Sequence, residues 1–238
     1  MITIDNYLDQ TDHACGRYAL EHPEWMKKRF AIKGKVPEVK PNYNAAPTQD
    51  MPVVVQKDKA NAIEIMRWGL QPVWAKDQPN FAWKTFNARA ETLQEKPMWK
   101  GPFKKHRCLV PATGYYEWQK IDSKTKQPYF FYLEDHEMFA FAGLYDEWTD
   151  KDSGEITRTY SIVTTSPNKI QSPIHDRMPV ILNQDEESVW LDSDQDDLGF
   201  LESLLNPFTE KGFDLYPVDV AVGNSRNNSP DLVKPISE

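Results

Sequence analysis

Seven short runs rich in β-branched and aromatic residues follow one another along the chain, and they restrict its fold more than any other feature. In chain order they are "MPVVVQ" (51–56), "AIEIMRWGL" (62–70), "RCLVPA" (107–112), "PYFFYLE" (128–134), "MFAFAGLY" (138–145), "RTYSIVTT" (158–165) and "MPVIL" (178–182). Runs of this length and composition are typical of β-strands, and partial alternation in the second run indicates a half-buried strand.

Helices are predicted near the two ends of the chain. "HPEWMKKRF" (22–30) has a proline near its first turn, as helices often do. Asn183 is expected to cap a helix through "EESVWL", with Glu186 as its capping-box partner, and "LGFLESLL" (198–205) is amphipathic. This order of elements predicts an α+β fold: a mostly antiparallel, barrel-like curved sheet with peripheral helices.

Composition excludes several classes of protein. No run approaches the roughly 18 apolar residues that span a bilayer, and the first residues lack a secretory signal. Two cysteines in 238 residues do not make a disulfide framework, so we expect a reducing, cytoplasmic location. The common dinucleotide, P-loop, zinc-peptidase and serine-hydrolase motifs are absent from the sequence.

Charge is segregated along the chain. The net charge is −8, yet residues 185–202, the acidic segment, contain eight acidic residues and no lysine or arginine. Residues 96–107, the basic segment, contain four lysines, one arginine and one histidine with no acidic residue. Two interpretations stay open: the basic segment forms a local phosphate-binding face, or the two segments are solvated charges on opposite faces.

Four side chains stand in settings that suit chemistry. Cys15, in "ACGR", is a nucleophile if Arg17 favours its thiolate, and otherwise a buried apolar residue. Glu117, in "GYYEWQK", has a raised pKa if the neighbouring rings desolvate it, and otherwise points at water. His175, in "SPIHDRMP", is a proton carrier or only a loop residue that bonds the backbone. Asn87, in "FNARAE", can position a reacting group or belong to a turn.

Predictions can be made for two further residues, one arginine and one cysteine. Arg89 offers a guanidinium fork that suits phosphate, or a surface ion pair. Cys108, inside "RCLVPA", is predicted to be a core residue.

Short motifs spread along the chain resemble, in order, those of the SRAP family (SOS response-associated peptidase domain). They are "CGRY", "YNAAPT", "RWGLQPVW", "FNARAE", "VPATGYYEW", "PYFF", "IVTT", "IHDRMPVIL" and "AVGN". The resemblance runs from Cys15 to about Asn224. It implies a single domain over residues 15–238 with a β-barrel-like core and a positively charged cleft.

The resemblance also implies a function. Members of the SRAP family bind single-stranded DNA, or single-strand/double-strand junctions, that contain abasic sites. They crosslink to these sites through an N-terminal cysteine. The implied catalytic residues are Cys15 as nucleophile, Asn87 as its positioning group, and Glu117 and His175 as proton carriers. The implied DNA-binding residues are Arg17, Arg89 and Arg177 at phosphates and Pro47, Trp74 and Thr164 along the DNA path. No metal or organic cofactor is expected. DNA is the expected partner, and the protein is expected to associate with the nucleoid after DNA damage.

The start of the chain departs from the family pattern, in which cysteine directly follows the initiator methionine. Fourteen residues precede Cys15 here, so its nitrogen is an amide that cannot form an imine with an aldehyde. We therefore expect residues 1–14 to be an extension or propeptide, and the Ala14–Cys15 bond to be cut, with Cys15, Glu117 and His175 acting on it in cis.

Two other functions stay open beside covalent capture of abasic sites. One is a cysteine peptidase that acts on itself or on other proteins. The other is a non-covalent binder of single-stranded DNA. Strand cleavage by β-elimination is an expected side activity of an imine intermediate.

Overall fold

The computed structural model describes residues 15–76, 78, 80–209 and 211–236. The predicted extension over residues 1–14 lies outside the described residues. Thirteen strands are described in these ranges: β1 (Tyr18–Leu20), β2 (Asn42–Ala45), β3 (Asp50–Lys57), β4 (Ala60–Trp68), β5 (Asn87–Arg89), β6 (Arg107–Ala112), β7 (Gly114–Lys120), β8 (Lys126–Leu133), β9 (Phe139–Thr149), β10 (Ile156–Thr165), β11 (Met178–Pro179), β12 (Ile181–Leu182) and β13 (Phe213–Pro217).

Four of the described helices are α-helical, and all are short: α1 (Met26–Arg29), α2 (Pro97–Lys105), α3 (Gln184–Leu191) and α4 (Leu198–Ser203). Asn183 and Glu186 form the predicted capping box at the start of α3. Within the described ranges, no helix has the length and apolar character needed to cross a membrane. The sequence did not predict α2, which contains two prolines and one glycine and so has poor helix propensity.

Five strands close on themselves into a barrel. β3 pairs with β4 and β6, β6 pairs with β9, and β9 pairs with β10, all antiparallel, while β10 pairs with β4 in parallel and completes the ring. The short strand β5 also lies parallel to β10, with Asn87 opposite Ile162 and Arg89 opposite Thr164. The predicted α+β fold with a mostly antiparallel, barrel-like sheet is confirmed.

A second antiparallel sheet, in the order β13-β8-β7-β1-β2, is buried on both faces. On β7, Tyr115 belongs to the main core, whereas Tyr116 packs in a smaller core with residues of the C-terminal segment, such as Val218 and Leu232. Because side chains alternate along a strand, Glu117 lies on the same face as Tyr115. This alternation directs a carboxyl group into the interior of the protein.

The basic and acidic segments contact each other, so the expectation that they lie on opposite faces is wrong. Arg107 is 4% exposed, and its guanidinium donates to the carbonyl oxygens of Trp190 (2.7 Å) and Gln195 (3.2 Å). Lys105 Nζ donates to the carbonyl of Ser193 at 3.2 Å. The cation fits here because the last carbonyls of a helix lack partners within it. Arg107 and Lys105 therefore serve the packing of the basic segment against the end of α3.

Candidate active site

Cys15 and Glu117 meet in the interior, although 102 positions separate them in sequence. The backbone N–H of Cys15 donates a hydrogen bond to Oε1 of Glu117. Cys15 is fully buried and Glu117 is 2% exposed. The possibility that Glu117 points at water is excluded. The structure decides for the buried alternative, but the rings next to Glu117 in sequence, Tyr116 and Trp118, lie on the other face of β7.

Burial changes the protonation of both groups. Desolvation raises the pKa of Glu117 well above its usual range; the N–H of Cys15 opposes this shift, and the charge of Asp176 adds to it. Desolvation also raises the pKa of the Cys15 thiol, and the neighbouring Glu117 carboxylate raises it further. At neutral pH the site therefore favours a thiol over a thiolate, and the Glu117 carboxyl group beside the Cys15 nitrogen keeps its proton to a higher pH than an exposed glutamate does.

Arg17 does not play the part that its place in the sequence suggested. Its Nη1 donates to the Gly16 carbonyl at 3.0 Å and its Nη2 to the Gly223 carbonyl at 3.4 Å. The residue is 2% exposed. The pKa of Cys15 is raised, so the interpretation that Arg17 favours the thiolate is wrong. Its predicted role at a DNA phosphate stays a prediction.

The strand that carries Asn87 passes close to Cys15. A side chain at Gly16 would contact the ring of Phe86, 3.9 Å away, and Phe86 directly precedes Asn87. The carbonyl of Phe86 accepts hydrogen bonds from the Trp68 indole (2.9 Å) and from the backbone of Ile162 (3.0 Å). Asn87 is thus held at the edge of the barrel, beside the chain segment that contains the thiol.

His175 lies on a loop between β10 and β11. Its Nδ1 accepts a hydrogen bond from the backbone N–H of Arg177 at 3.1 Å, and Oδ1 of Asp176 lies 3.2 Å from the same nitrogen. The charge of Asp176 contributes to the raised pKa of Glu117, so this loop lies close to the buried carboxyl group.

The loop is fixed by a buried polar residue that the sequence analysis missed. Gln171 is fully buried; its Nε2 donates to the Arg177 carbonyl at 2.5 Å, and its Oε1 accepts a hydrogen bond from the hydroxyl of Tyr115. The Gln171 carbonyl accepts the N–H of His175 at 3.0 Å. Tyr115 is two residues from Glu117 on β7. Gln171 therefore links the strand of the buried acid to the loop of the histidine.

Arg177 is buried, and its guanidinium is held by four acceptor atoms of Glu91 and Thr164. Its guanidinium forms a two-pronged ion pair with Glu91, at 2.5 Å (Nη1–Oε1) and 3.0 Å (Nη2–Oε2). Nη2 also donates to the carbonyl of Thr164 at 2.7 Å. Arg89 Nε lies 3.9 Å from Oε2 of the same glutamate. The predicted residues Arg89 and Arg177 therefore both lie at Glu91, which the sequence analysis did not select, and Thr164 lies at Arg177.

The remaining predicted DNA-binding residues differ in exposure. Trp74 is 63% exposed and packs edge-to-face against Phe81, with ring centroids 5.3 Å apart. The Arg89 side chain is also 63% exposed. Pro47 is buried in the turn before β3. Cys108, in contrast, is fully buried inside the barrel, as predicted, and neither described cysteine is in a disulfide.

Comparison with known protein families identifies the family of this chain. The sequence model of the SOS response associated peptidase (SRAP) family matches residues 14–225. The chain belongs to this family. The match extends over Cys15, Glu117, His175 and the loop after β13.

Known proteins resemble this SRAP protein along most of its length. It is 40% identical over 223 residues to "Abasic site processing protein YoqW" of Bacillus subtilis, with 92% of this chain and 99% of that protein covered. It is 34% identical over 232 residues to "Abasic site processing protein HMCES" of Xenopus tropicalis, with 85% and 68% covered. A crystal structure of a protein from Bacteroides thetaiotaomicron matches with a TM-score of 0.83 and 31% identity, covering 94% of this chain and 100% of that one.

Proposed function

We propose that this protein recognises abasic sites in single-stranded DNA and captures them through a covalent bond to Cys15. The observation that carries the proposal is the hydrogen bond from the Cys15 nitrogen to the buried carboxyl group of Glu117. Two relatives that this chain matches over most of their length are named abasic site processing proteins, which supports an abasic site as the substrate.

The chemistry needs two nucleophiles on one residue. The sugar of an abasic site opens to an aldehyde. The α-amino group of a freed Cys15 adds to the aldehyde carbon, and loss of one water gives an imine. The Sγ–H then adds across the C=N bond: sulfur bonds to carbon and the proton goes to nitrogen, which closes a five-membered thiazolidine. Both nucleophiles arrive already placed, so proximity provides most of the advantage.

Glu117 is suited to move the protons of this sequence. A carboxyl group with a raised pKa keeps its proton to a higher pH than an exposed glutamate does, so it is suited to protonate the departing hydroxyl and recover the proton afterwards. It touches the nitrogen that becomes the imine. His175 is proposed to protonate the sugar oxygen, and Asn87 is proposed to position Cys15. An imine also acidifies the neighbouring carbon, so strand cleavage by β-elimination is the proposed side reaction.

Capture first requires a free amine, so we propose that the protein cuts its own Ala14–Cys15 bond. Sγ attacks the Ala14 carbonyl through a five-membered ring; Glu117 takes the Sγ proton and passes a proton to the leaving Cys15 nitrogen, so the carboxyl group ends as it began. Water then hydrolyses the resulting thioester and restores the thiol. Cys15 has a backbone φ of +50°, an uncommon value for a residue with a side chain. This backbone strain at the bond to be cut supports the proposal.

The DNA strand is proposed to pass along Trp74 and Arg89. An exposed tryptophan supplies a stacking face for an unpaired base, and an exposed arginine supplies a phosphate contact. A single strand is the favoured substrate because its bases are already unpaired. The cytoplasmic location predicted from the cysteine content stays a prediction.

A crosslinking assay tests the function. Single-stranded DNA that contains one uracil is treated with uracil-DNA glycosylase, incubated with the purified full chain, and analysed on a denaturing gel. We expect a heat-stable adduct that Cys15→Ala abolishes and Cys108→Ala retains. Cys108 is the matched control because it is the other buried free cysteine.

The same assay separates the alternatives. Binding with no adduct, even from a variant in which Cys15 directly follows Met1, would favour the non-covalent binder. Cleavage of unrelated peptides that depends on Cys15 would favour a general cysteine peptidase.

A further inference from the structure

Glu91 occupies a place in the site that its position in the sequence does not reveal. It lies on the 3₁₀-turn Ala90–Thr92, directly after β5, and its side chain is 49% exposed. Both of its oxygens contact the guanidinium of Arg177, whose own side chain is only 10% exposed. Partial burial disfavours the charge of Glu91, but hydrogen bonds and the charges of Arg177 and Arg89 outweigh it and lower the pKa. The ion pair is therefore present at neutral pH.

The main chain of Arg177 reaches the proposed proton carrier. Its N–H donates to Nδ1 of His175, and its carbonyl accepts from Gln171. When Nδ1 of a neutral imidazole accepts a hydrogen bond, the proton is on Nε2. The position of this one amide thus selects the tautomer of His175.

A competing partner is close by. Oδ1 of Asp176 lies 3.2 Å from the same Nδ1. A carboxylate accepts hydrogen bonds, so a proton on Nδ1 would bond to Asp176 instead, leaving Nε2 without one. The imidazole therefore has two available arrangements, and whatever fixes the Arg177 amide favours the first.

We infer that Glu91 is a positioning residue: by holding the guanidinium of Arg177, it fixes the main-chain amide that keeps the proton of His175 on Nε2. Arg177 is held at its side chain by Glu91 and Thr164 and at its carbonyl by Gln171. Loss of the Glu91 contact leaves Arg177 held only by Thr164 and Gln171, so its main-chain amide shifts more easily relative to His175. In the proposed reaction, which this part of the inference rests on, Nε2–H is the form that donates a proton.

The first test needs no DNA, so it does not depend on the proposed function. Nitrogen shifts of the His175 imidazole are measured by NMR in the full chain, at a pH where the ring is neutral. We expect the Nε2–H tautomer in the wild type and a mixture with Nδ1–H in Glu91→Gln. Asp176→Ala, which removes the competing acceptor, is expected to restore Nε2–H in Glu91→Gln. Glu95→Gln makes the same change at an exposed position four residues further on, and leaves the spectrum unchanged.

The second test measures the rate of adduct formation. We expect Glu91→Gln to lower the rate roughly 10- to 100-fold, the size of effect that small misplacements cause. Glu91→Asp, which keeps the carboxylate, is expected to recover part of the rate. In a His175→Ala background, Glu91→Gln is expected to have no further effect.

The two tests also separate the possible failures. An unchanged tautomer in folded Glu91→Gln, or an undiminished effect of Glu91→Gln when His175 is absent, would overturn the inference. A wild-type protein that shows the Nε2–H tautomer but forms no adduct would leave the role of Glu91 standing and overturn the proposed function.

Discussion

The site around Cys15 and the contact between the basic and acidic segments use charge in opposite ways. In the second region, Arg107 and Lys105 donate to main-chain carbonyls of the acidic segment, so these two cations have local acceptors. In the first, the Glu117 carboxyl group is buried beside a thiol and accepts one N–H, and its pKa is raised. Cations whose donors meet main-chain carbonyls hold elements together. A single buried acid whose pKa is displaced is a candidate for chemistry.

The largest expected effect is on the reaction rate. Glu117→Gln keeps a polar group of the same size but removes the transferable proton. We expect the rate of adduct formation to fall roughly 10²- to 10⁴-fold, the usual contribution of a general acid or base. Glu202→Gln, on the exposed face of the acidic segment, is the matched control. Equal rates for wild type and Glu117→Gln in the crosslinking assay would contradict a chemical role for the buried acid, and with it the contrast between the two regions.

The next effect is on stability and belongs to the other region. Arg107→Ala removes hydrogen bonds to several buried carbonyls and is expected to lower the free energy of unfolding by about 3 kcal/mol. Arg107→Lys is expected to recover little, because an ammonium lacks the guanidinium fork. Urea unfolding measures both variants. The rate of adduct formation by the folded variants is expected to match the wild type; a matching loss of rate would show that the basic segment serves the reaction.

The pH dependence of stability gives a smaller effect at the site. The folded-state pKa of Glu117 is raised by burial, so the folded protein retains a proton at a pH where the unfolded chain has lost it. Below the usual glutamate pKa, near 4.3, both states are protonated; as pH rises through the window above it, the free energy of unfolding falls.

Glu117→Gln removes this dependence. The stability of the wild type relative to Glu117→Gln is therefore expected to decline with rising pH, as measured by urea unfolding across the acid-to-neutral range. A difference that does not change with pH would mean that Glu117 titrates as an ordinary exposed residue does.

The smallest effect concerns salt. In the non-adduct-forming Cys15→Ala background, Arg89→Gln is expected to flatten the dependence of log affinity on log salt by about 0.7, one phosphate contact on a single strand. Lys104→Gln, exposed on α2, is expected to leave the slope unchanged. Fluorescence anisotropy with single-stranded DNA measures both slopes. The opposite ranking would place the DNA on the basic segment.

Local patterns were enough to predict the barrel. All seven apolar runs contain strands, because each combines β-branched or aromatic residues with polar turns. The three-residue strands β1 and β5 were missed, since pairing with distant partners rather than local propensity makes them strands. Helix α2 was missed because its proline and glycine content gives it a low helix propensity. Packing against the rest of the protein stabilises it instead.

The site was predictable where a residue type carries the chemistry. Cys15, Glu117 and His175 stand out by type and motif, whereas the burial of Glu117 stayed an open alternative until the structure decided it. Glu91 was missed because its role depends on a contact with Arg177, 86 positions away. Sequence spacing gives no sign of such a contact. A carboxyl group two residues after the predicted Arg89 is the one signal that could have been pursued.

The central claim is that Cys15 reacts through both its nitrogen and its sulfur after the bond before it is cut. The most direct measurement is mass spectrometry of the purified full chain, intact and after crosslinking, with protease and nuclease digestion of the adduct. The account predicts a chain that has lost residues 1–14 and a sugar remnant on the peptide that begins at Cys15. An adduct on a chain that retains the Ala14–Cys15 bond, or on any other peptide, would contradict it.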